Sequence, residues 1–336
     1  MRMRWLGKTG LQVSEMCLGT ATFGGRGVYK HSGELDQKGA DQIVDMAFDA
    51  GINFFNTAEV YSDGLAEEIL GKALGIRRKE AIVITKVNHR VSPGKNDGGL
   101  SRKHIVEACE ASLKRIGTDY IDIYELHGID PNTSNEEMMR AMDDLVSQGK
   151  VLHIGCSNYR GWQLIQCMAI SEKNGWNKFI TSESMYSLAS RGVEYELVPA
   201  CLDQGVAILA YSPLHAGLLT GKYRRGQPWP VGTRIRSQEE SGGWSFNPEK
   251  LFSIIDELDH IAKERNVTIP QVGLNYILQK PGVCSLIFAA RNASQMEDNL
   301  KTMEWQITPE EITLLDEVSD PEHMYPYDIR DPNQKI

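Results

Sequence analysis

The stretch FDAGINFFNTAEVY, residues 48–61, sets the architecture of the chain. A helical pattern ends at Gly51, and the run Ile52-Asn53-Phe54-Phe55 that follows is short and mostly apolar, as a buried parallel strand is. Polar residues then arrive abruptly: Asn56, Thr57 and Glu59 follow the strand, and Tyr61 stands where the chain turns towards the next helix. The same plan of helix, glycine and apolar run recurs in LVSQGKVLHIG (145–155) and CLDQGVAILAY (201–211), with Gly149 and Gly205 as the stops. Units repeated in this way favour parallel strands joined by crossover helices.

Outward from these three units, strands are expected at 13–18, 52–55, 81–85, 122–126, from 151, at 179–182, 207–210 and 283–288. Helices are expected at 36–50, 101–116, 135–147, 162–173 and 194–203, and two more, at 294–303 and 309–318, follow the last strand. Eight strand candidates in an alternating α/β chain point to a single (β/α)8 TIM barrel, with extra helices at the C-terminal end. Lys8-Thr9-Gly10 reads as the turn of an N-terminal hairpin. No interdomain linker is evident, so residues 1–336 are expected to form one domain. The polar, Gly- and Pro-rich segment 224–248 reads as a functional loop insertion and 321–336 as an irregular tail.

Composition narrows the function. With 41% hydrophobic residues, the 336-residue chain can bury a large core, and a formal charge of -9 argues against nucleic acid as a partner. It leaves room for an anionic cofactor held by a local basic patch. The start MRMRWLGKTG lacks a signal-peptide core, and no stretch approaches a membrane span. Cys17, Cys109, Cys156, Cys167, Cys201 and Cys284 lack C-x-x-C spacing and read as reduced, small buried hydrophobes of a cytoplasmic protein.

The polar residues at the C-terminal ends of the strands run Asn56 with Tyr61, Lys86, His127, Ser157 with Asn158, Glu183, Tyr211 with Ser212, then Arg291. In a barrel these positions converge on one mouth, the face that carries catalysis. Taken singly, Lys86 reads as a solvated strand end and His127 as a satisfied buried histidine. Their recurrence at successive strand ends reverses that preference. A phenol is a poor acid at neutral pH and a neighbouring ammonium lowers its pKa, while an imidazole N–H can polarise a carbonyl oxygen.

The stretches LGTATFGG, FFNTAEVYSDGLAEEILGKAL, ITKV, YIDIYELHGID, HIGCSNY, YSPLHAGLLTGKYRRG and IFAARNASQMEDNL, in that order and spacing, resemble the aldo-keto reductase superfamily over nearly the whole chain, in its bacterial general-stress and potassium-channel-β-like branch. The resemblance implies a nicotinamide cofactor and carbonyl reduction. Its catalytic tetrad falls on Asn56, Tyr61, Lys86 and His127, with Tyr61 the general acid, Lys86 its tuner and His127 the carbonyl-orienting donor. Its cofactor positions fall on Thr20, Ser157, Asn158, Glu183, Tyr211, Ser212, Leu214, Lys222, Arg291, Gln295 and Asn299. Ser157 and Asn158 would hold the carboxamide, Tyr211 would stack on the nicotinamide, and Ser212, Leu214 and Lys222 would hold the pyrophosphate. Arg291 facing a 2′-phosphate implies NADP(H), with Gln295 and Asn299 at the adenine end. The partner implied is a small-molecule carbonyl or alcohol substrate, and a homo-oligomer is compatible with all of this.

Two positions depart from the family pattern. Asn56 stands where the tetrad has an aspartate, so Lys86 is expected to lack its counter-ion and to act unshielded on Tyr61. Glu183 stands where a glutamine normally contacts the carboxamide, and a carboxylate accepts there but cannot donate. Phe288 and Ala289 also replace the usual residues before Arg291. These departures keep a second class in view, a cofactor-binding regulatory module of the potassium-channel β-subunit kind with little turnover. Other motifs fail: Gly217 to Tyr223 is one residue short of a P-loop, Gly155-Cys-Ser157-Asn-Tyr159 lacks the second glycine of a nucleophile elbow, and Glu257 with His260 has no partner pair for a metal site. The substrate pocket is expected between Thr22 and Phe23, the loop 87–100 and the insertion, whose Trp229 and Trp244 could close over an apolar or sugar-like compound.

Overall fold

The structure is a computed structural model that describes residues 1–230, 247–321 and 324–327. A two-stranded antiparallel hairpin, β1 (Met3–Trp5) and β2 (Gln12–Ser14), precedes eight barrel strands: β3 (Met16–Gly19), β4 (Phe54–Asn56), β5 (Ile82–Val87), β6 (Ile121–Leu126), β7 (Val151–Ser157), β8 (Phe179–Met185), β9 (Ala207–Tyr211) and β10 (Val283–Phe288). They pair in parallel in chain order, and β10 closes onto β3. The crossover helices are α1 (Gln37–Asp49), α2 (Leu65–Leu74), α3 (Arg102–Ile116), α4 (Asn135–Ser147), α5 (Gly161–Asn174) and α6 (Leu197–Gln204). After β9 come α7 (Pro248–Arg265) and α8 (Ile269–Leu278), and after β10 come α9 (Ala293–Leu300) and α10 (Pro309–Val318). The (β/α)8 barrel with an N-terminal hairpin and C-terminal helices is therefore the fold that the strand count implies.

Local chemistry explains the element ends. Side chains of Asp36, Ser101, Ser134 and Thr308 cap α1, α3, α4 and α10 by accepting backbone N–H groups three residues on. Gly149 and Gly205 stop their helices at φ values of 73° and 70°, a left-handed turn that costs glycine little.

One expected strand, 13–18, is two. The chain leaves the hairpin at Ser14 and enters the barrel at Met16. Glu15 forms the corner, because Arg2 and Arg4 each donate to its carboxylate at 2.6 Å while its carbonyl accepts from Leu286 N–H at 2.9 Å. The polar pair Ser14-Glu15 sits at this corner between Val13 and the apolar run Met16-Cys17-Leu18. The expected loop insertion 224–248 gives way to α7 at Pro248. Trp244 and residues 231–246, like 322–323 and 328–336 of the tail, lie outside the described residues. Among the described residues no helix is long and apolar enough to cross a membrane.

The strand period of two sorts the interior. Leu6 and Val13 of the hairpin region cluster with Cys17, Phe54, Ile84, Ile123 and Leu209, an apolar plug inside the barrel. Two residues further along each strand the same inward face carries Asn56, Lys86, Glu125 and Tyr211. The polar layer thus sits directly on the apolar one. Residues of the opposite face, Phe55, Val83, Tyr124 and Ala210, belong to the larger core beneath the helices.

Candidate active site

The polar layer is a connected cluster. Lys86 is fully buried, and its ammonium donates to Asn56 Oδ1 at 2.7 Å and to the Thr57 carbonyl at 3.0 Å. Glu183 Oε2 lies 3.2 Å from the same nitrogen and accepts from Asn56 Nδ2 at 2.6 Å. Three strands, β4, β5 and β8, supply this arrangement. Tyr61 follows from β4: Thr57 N–H donates to the Ile84 carbonyl, Glu59 N–H to the Lys86 carbonyl and Tyr61 N–H to the Ala58 carbonyl. The segment 57–61 is thereby laid along β5. Ser62, at φ 52°, then fastens the turn by donating to the Phe23 carbonyl at 2.6 Å.

The Lys86 ammonium sits 5.3 Å from the Tyr61 ring centroid, and the His127 ring is edge-on to Tyr61 at 6.0 Å. Phenol, amine and imidazole, far apart in the chain, share one small volume. Burial pushes the Tyr61 phenol well above its ordinary pKa, and Tyr29, Glu183, Tyr211 and Glu125 add to the effect. Burial, Lys86 and His89 hold His127 well below the ordinary imidazole value, so it is neutral at neutral pH.

Two electrostatic expectations are corrected here. Lys86 does not stand without a counter-ion, because Glu183 supplies a carboxylate from the opposite wall. The Tyr61 pKa is therefore raised and not lowered in this site, the ammonium being offset while desolvation of the phenolate goes uncompensated.

Three residues went unnoticed in the sequence. Glu125 on β6 is fully buried, accepts from Thr181 Oγ1 at 2.7 Å, and pairs in register with Lys86. As a carboxylate its Oε2 has no hydrogen-bond partner; protonated, it donates to Glu183. Burial and the Glu183 charge accordingly push its pKa well up. The signal was present as an acid at inward parity with Ile123 inside an apolar run. Tyr29 packs on Tyr61 at 4.6 Å and His89 stands edge-on to His127 at 4.7 Å, both delivered by loops that periodicity does not read.

The remaining candidates fall into two groups. Asn158, at φ 62°, donates to the His127 carbonyl at 3.1 Å and to Ser157 Oγ at 2.9 Å, and accepts from the Tyr211 hydroxyl at 2.8 Å. Ser157, Asn158, Glu183 and Tyr211 thus line adjacent ends of β7, β8 and β9 beside the proton-transfer cluster. Thr20 joins them from the other side by donating its N–H to the Asn56 carbonyl at 2.9 Å, while its hydroxyl is buried with no hydrogen-bond partner. The second group is the basic end. Burial and the charge of Arg291 lower the pKa of Lys222. Among the described residues neither cation is ion-paired to a carboxylate. Arg291 instead donates to the carbonyls of His31 at 3.0 Å and Ser32 at 2.9 Å, and its backbone N–H donates to Gln295 Oε1 at 2.9 Å. Asn299 donates weakly to the Ala289 carbonyl at 3.4 Å, and Ser212 and Leu214 begin the turn that leads from β9 towards Lys222. Two cations without a counter-ion among the described residues fit an anionic ligand such as a phosphorylated dinucleotide. Trp229 packs edge-on against Tyr223 at 5.5 Å on the core side.

A barrel with a buried Tyr-Lys-His cluster at its C-terminal mouth and two neighbouring cations, Lys222 and Arg291, fits an oxidoreductase class. The chain belongs to the aldo/keto reductase family, whose model matches residues 15–320. It is 35% identical to the uncharacterized oxidoreductase YrpG of Bacillus subtilis over 95% of this chain and 96% of that protein. It is 32% identical to versiconal hemiacetal acetate reductase of Aspergillus parasiticus over 96% and 98% of the two chains. A probable voltage-gated potassium channel subunit beta of Arabidopsis thaliana is 35% identical over 90% of this chain and 92% of its own length.

Proposed function

We propose that this chain is an NADP(H)-dependent oxidoreductase that reduces aldehydes and ketones to alcohols, with Tyr61 as general acid. The observation that carries the reading is the approach of Lys86, at 5.3 Å, and His127, at 6.0 Å, to the Tyr61 ring beside the Ser157, Asn158 and Tyr211 shelf. Tyr211 suits a flat ring by its aromatic face, Ser157 and Asn158 suit a carboxamide, and Lys222 with Arg291 suit phosphates, the charge of Arg291, bonded to backbone carbonyls and to no carboxylate among the described residues, favouring the 2′-phosphorylated form. When bound, the reduced nicotinamide supplies hydride to the carbonyl carbon.

Neutral His127 has one N–H to give. Its Nδ1 is buried without a hydrogen-bond partner, so the proton belongs on Nε2, where it can hold the substrate oxygen. Tyr61, kept protonated by its raised pKa, delivers its proton to that oxygen as charge develops. Lys86 then stabilises the phenolate left behind. Tyr29 and His89 narrow the approach to the two hydrogen-bonding groups.

The same reading takes residues 1–336 as one cytoplasmic domain acting on a small-molecule carbonyl or alcohol, and the six buried, unpaired cysteines suit a reducing compartment. The likeness to potassium channel β subunits favours a second reading, a dinucleotide-binding regulatory module with little turnover. A carbonyl panel with NADPH separates the two. Turnover that falls about 10²-fold or more in Tyr61→Phe, with NADPH affinity retained, supports the reductase. Tight NADPH binding with no turnover across the panel selects the module.

A further inference from the structure

Asn56 is held between opposite charges: its carbonyl oxygen faces the Lys86 ammonium at 2.7 Å and its amide nitrogen faces the Glu183 carboxylate at 2.6 Å. Only one orientation of the amide satisfies both neighbours, because the flipped one sets NH2 against NH3+ and oxygen against carboxylate. We infer that Asn56 and Glu183 work as one electrostatic unit, in which Glu183 on β8 is the counter-ion of Lys86 and Asn56 on β4 is the neutral link that couples them. Glu183 is thus a positioning residue for the proton chemistry, beyond any contact it makes with a cofactor. Whatever reaches its free oxygen also perturbs the Lys86 charge.

Three observations carry this. All three side chains are at least 97% buried, so water cannot stand in for any partner. Glu183 Oε2 is shared between Lys86 at 3.2 Å and Asn56 at 2.6 Å, which places the only carboxylate ion-paired to this ammonium, among the described residues, at position 183. The neighbouring acid Glu125 is held in its neutral form by burial and by Glu183, so the charge of Lys86 is met by one carboxylate and not two.

The other titratable groups around the unit are Cys17 on β3, His127 after β6, Tyr211 at the end of β9, and the loop residues Tyr29 and His89. Burial raises the thiol and the Tyr211 phenol, and lowers both imidazoles, so none of the four is charged at neutral pH. Tyr29 completes the wall as a phenol packed on Tyr61. The groups that act on Tyr61 are Tyr29, Glu183, Tyr211 and Glu125, of which Glu183 is the carboxylate paired with Lys86, while the fully buried Glu59 acts on His89.

The unit can be inverted without changing its charge. Asn56→Asp alone sets two carboxylates in hydrogen-bond contact, and one must take up a proton. Glu183→Gln alone leaves the buried ammonium facing two amides. The exchange Asn56→Asp with Glu183→Gln keeps one carboxylate, one amide and one ammonium, with the amide now donating from β8 to β4.

The test is a double-mutant cycle on the full chain. Thermal melts without cofactor are expected to show each single variant melting several degrees lower, and the exchange variant regaining at least half of the summed loss. The same result follows if a single variant fails to fold while the exchange variant folds. Losses that simply add, or an exchange variant that fails to fold when both singles fold, would overturn the unit. These melts need no turnover, so they stand apart from the reductase reading on which the second measurement rests. In the pH profile of carbonyl reduction, the alkaline limb assigned to Tyr61 should move down by about one unit in Glu183→Gln, since an unmatched cation favours the phenolate. It should return in the exchange variant, where a purely structural repair would leave it displaced. A limb that stays in place in Glu183→Gln refutes the assignment of Glu183 as counter-ion.

Discussion

The protonation of Glu125 can be tested through stability alone. The residue is fully exposed to solvent only when the chain unfolds, and there its carboxyl ionises near 4.5. In the folded barrel, burial and Glu183 keep the proton on well above that value. The sign follows from linkage: a carboxyl whose folded pKa is raised contributes its full stability below the unfolded value. It then loses that stability as the pH climbs towards the folded value, because the unfolded chain releases the proton first. Each pH unit in that window lowers stability by about 1 kcal/mol for the one proton involved.

Glu125→Gln removes the proton but keeps the shape. Its carbonyl can accept from Thr181, as Oε1 does now at 2.7 Å, and its amide can donate to Glu183. Urea midpoints of both proteins at pH 5.5, 6.5 and 7.5 isolate the residue, since the histidines titrate alike in each. The variant should gain on the parent steadily as the pH rises, by about 1–3 kcal/mol over the range. A difference that stays level across the three pH values would mean that Glu125 ionises in the folded state as it does in the unfolded one, and the neutral acid would have to be abandoned.

Two further outcomes are open to measurement. Arg291→Met should weaken NADPH by about tenfold or more while leaving NADH little changed, as titration by fluorescence would show, because of the two dinucleotides only NADPH carries a 2′-phosphate to meet the guanidinium charge. Gly71→Ala should lower the melting temperature at a cost of about 1–3 kcal/mol. A methyl there would lie 2.1 Å from the Ile116 carbonyl, and α2 can admit it only by moving off α3.

Much of this was legible in the sequence. Eight apolar runs, three of them after glycine stops, specified the barrel, and the strand ends named Lys86, His127 and Asn56, because strand parity and the mouth of a barrel are local rules applied eight times. What escaped was pairing across the lumen. Lys86 and Glu183 are 97 positions apart, and no local rule tells two strand ends that they touch. Asn56 consequently reads in the sequence as a missing charge, whereas in three dimensions the charge has another address. Glu125 was overlooked for a related reason: an acid inside an apolar run looks like part of the strand until a neighbour at inward parity gives it a partner. Glu15 hid a corner because a single polar pair, Ser14-Glu15, does not show in the sequence that Arg2 and Arg4 will ion-pair to it.

The crossbar of Lys86 and Glu183 divides unevenly if the barrel is cut. A fragment ending after β6 keeps Lys86 and Asn56, while one beginning at β7 keeps Glu183, so each half inherits an interior charge whose mate is on the other piece. Neither half can shelter its ion in a dry lumen by itself, and each presents the other with the missing sign. Severed fragments of this chain should therefore be poor solitary folders and good complements, with the polar floor acting as the lock that tells one half where the other belongs.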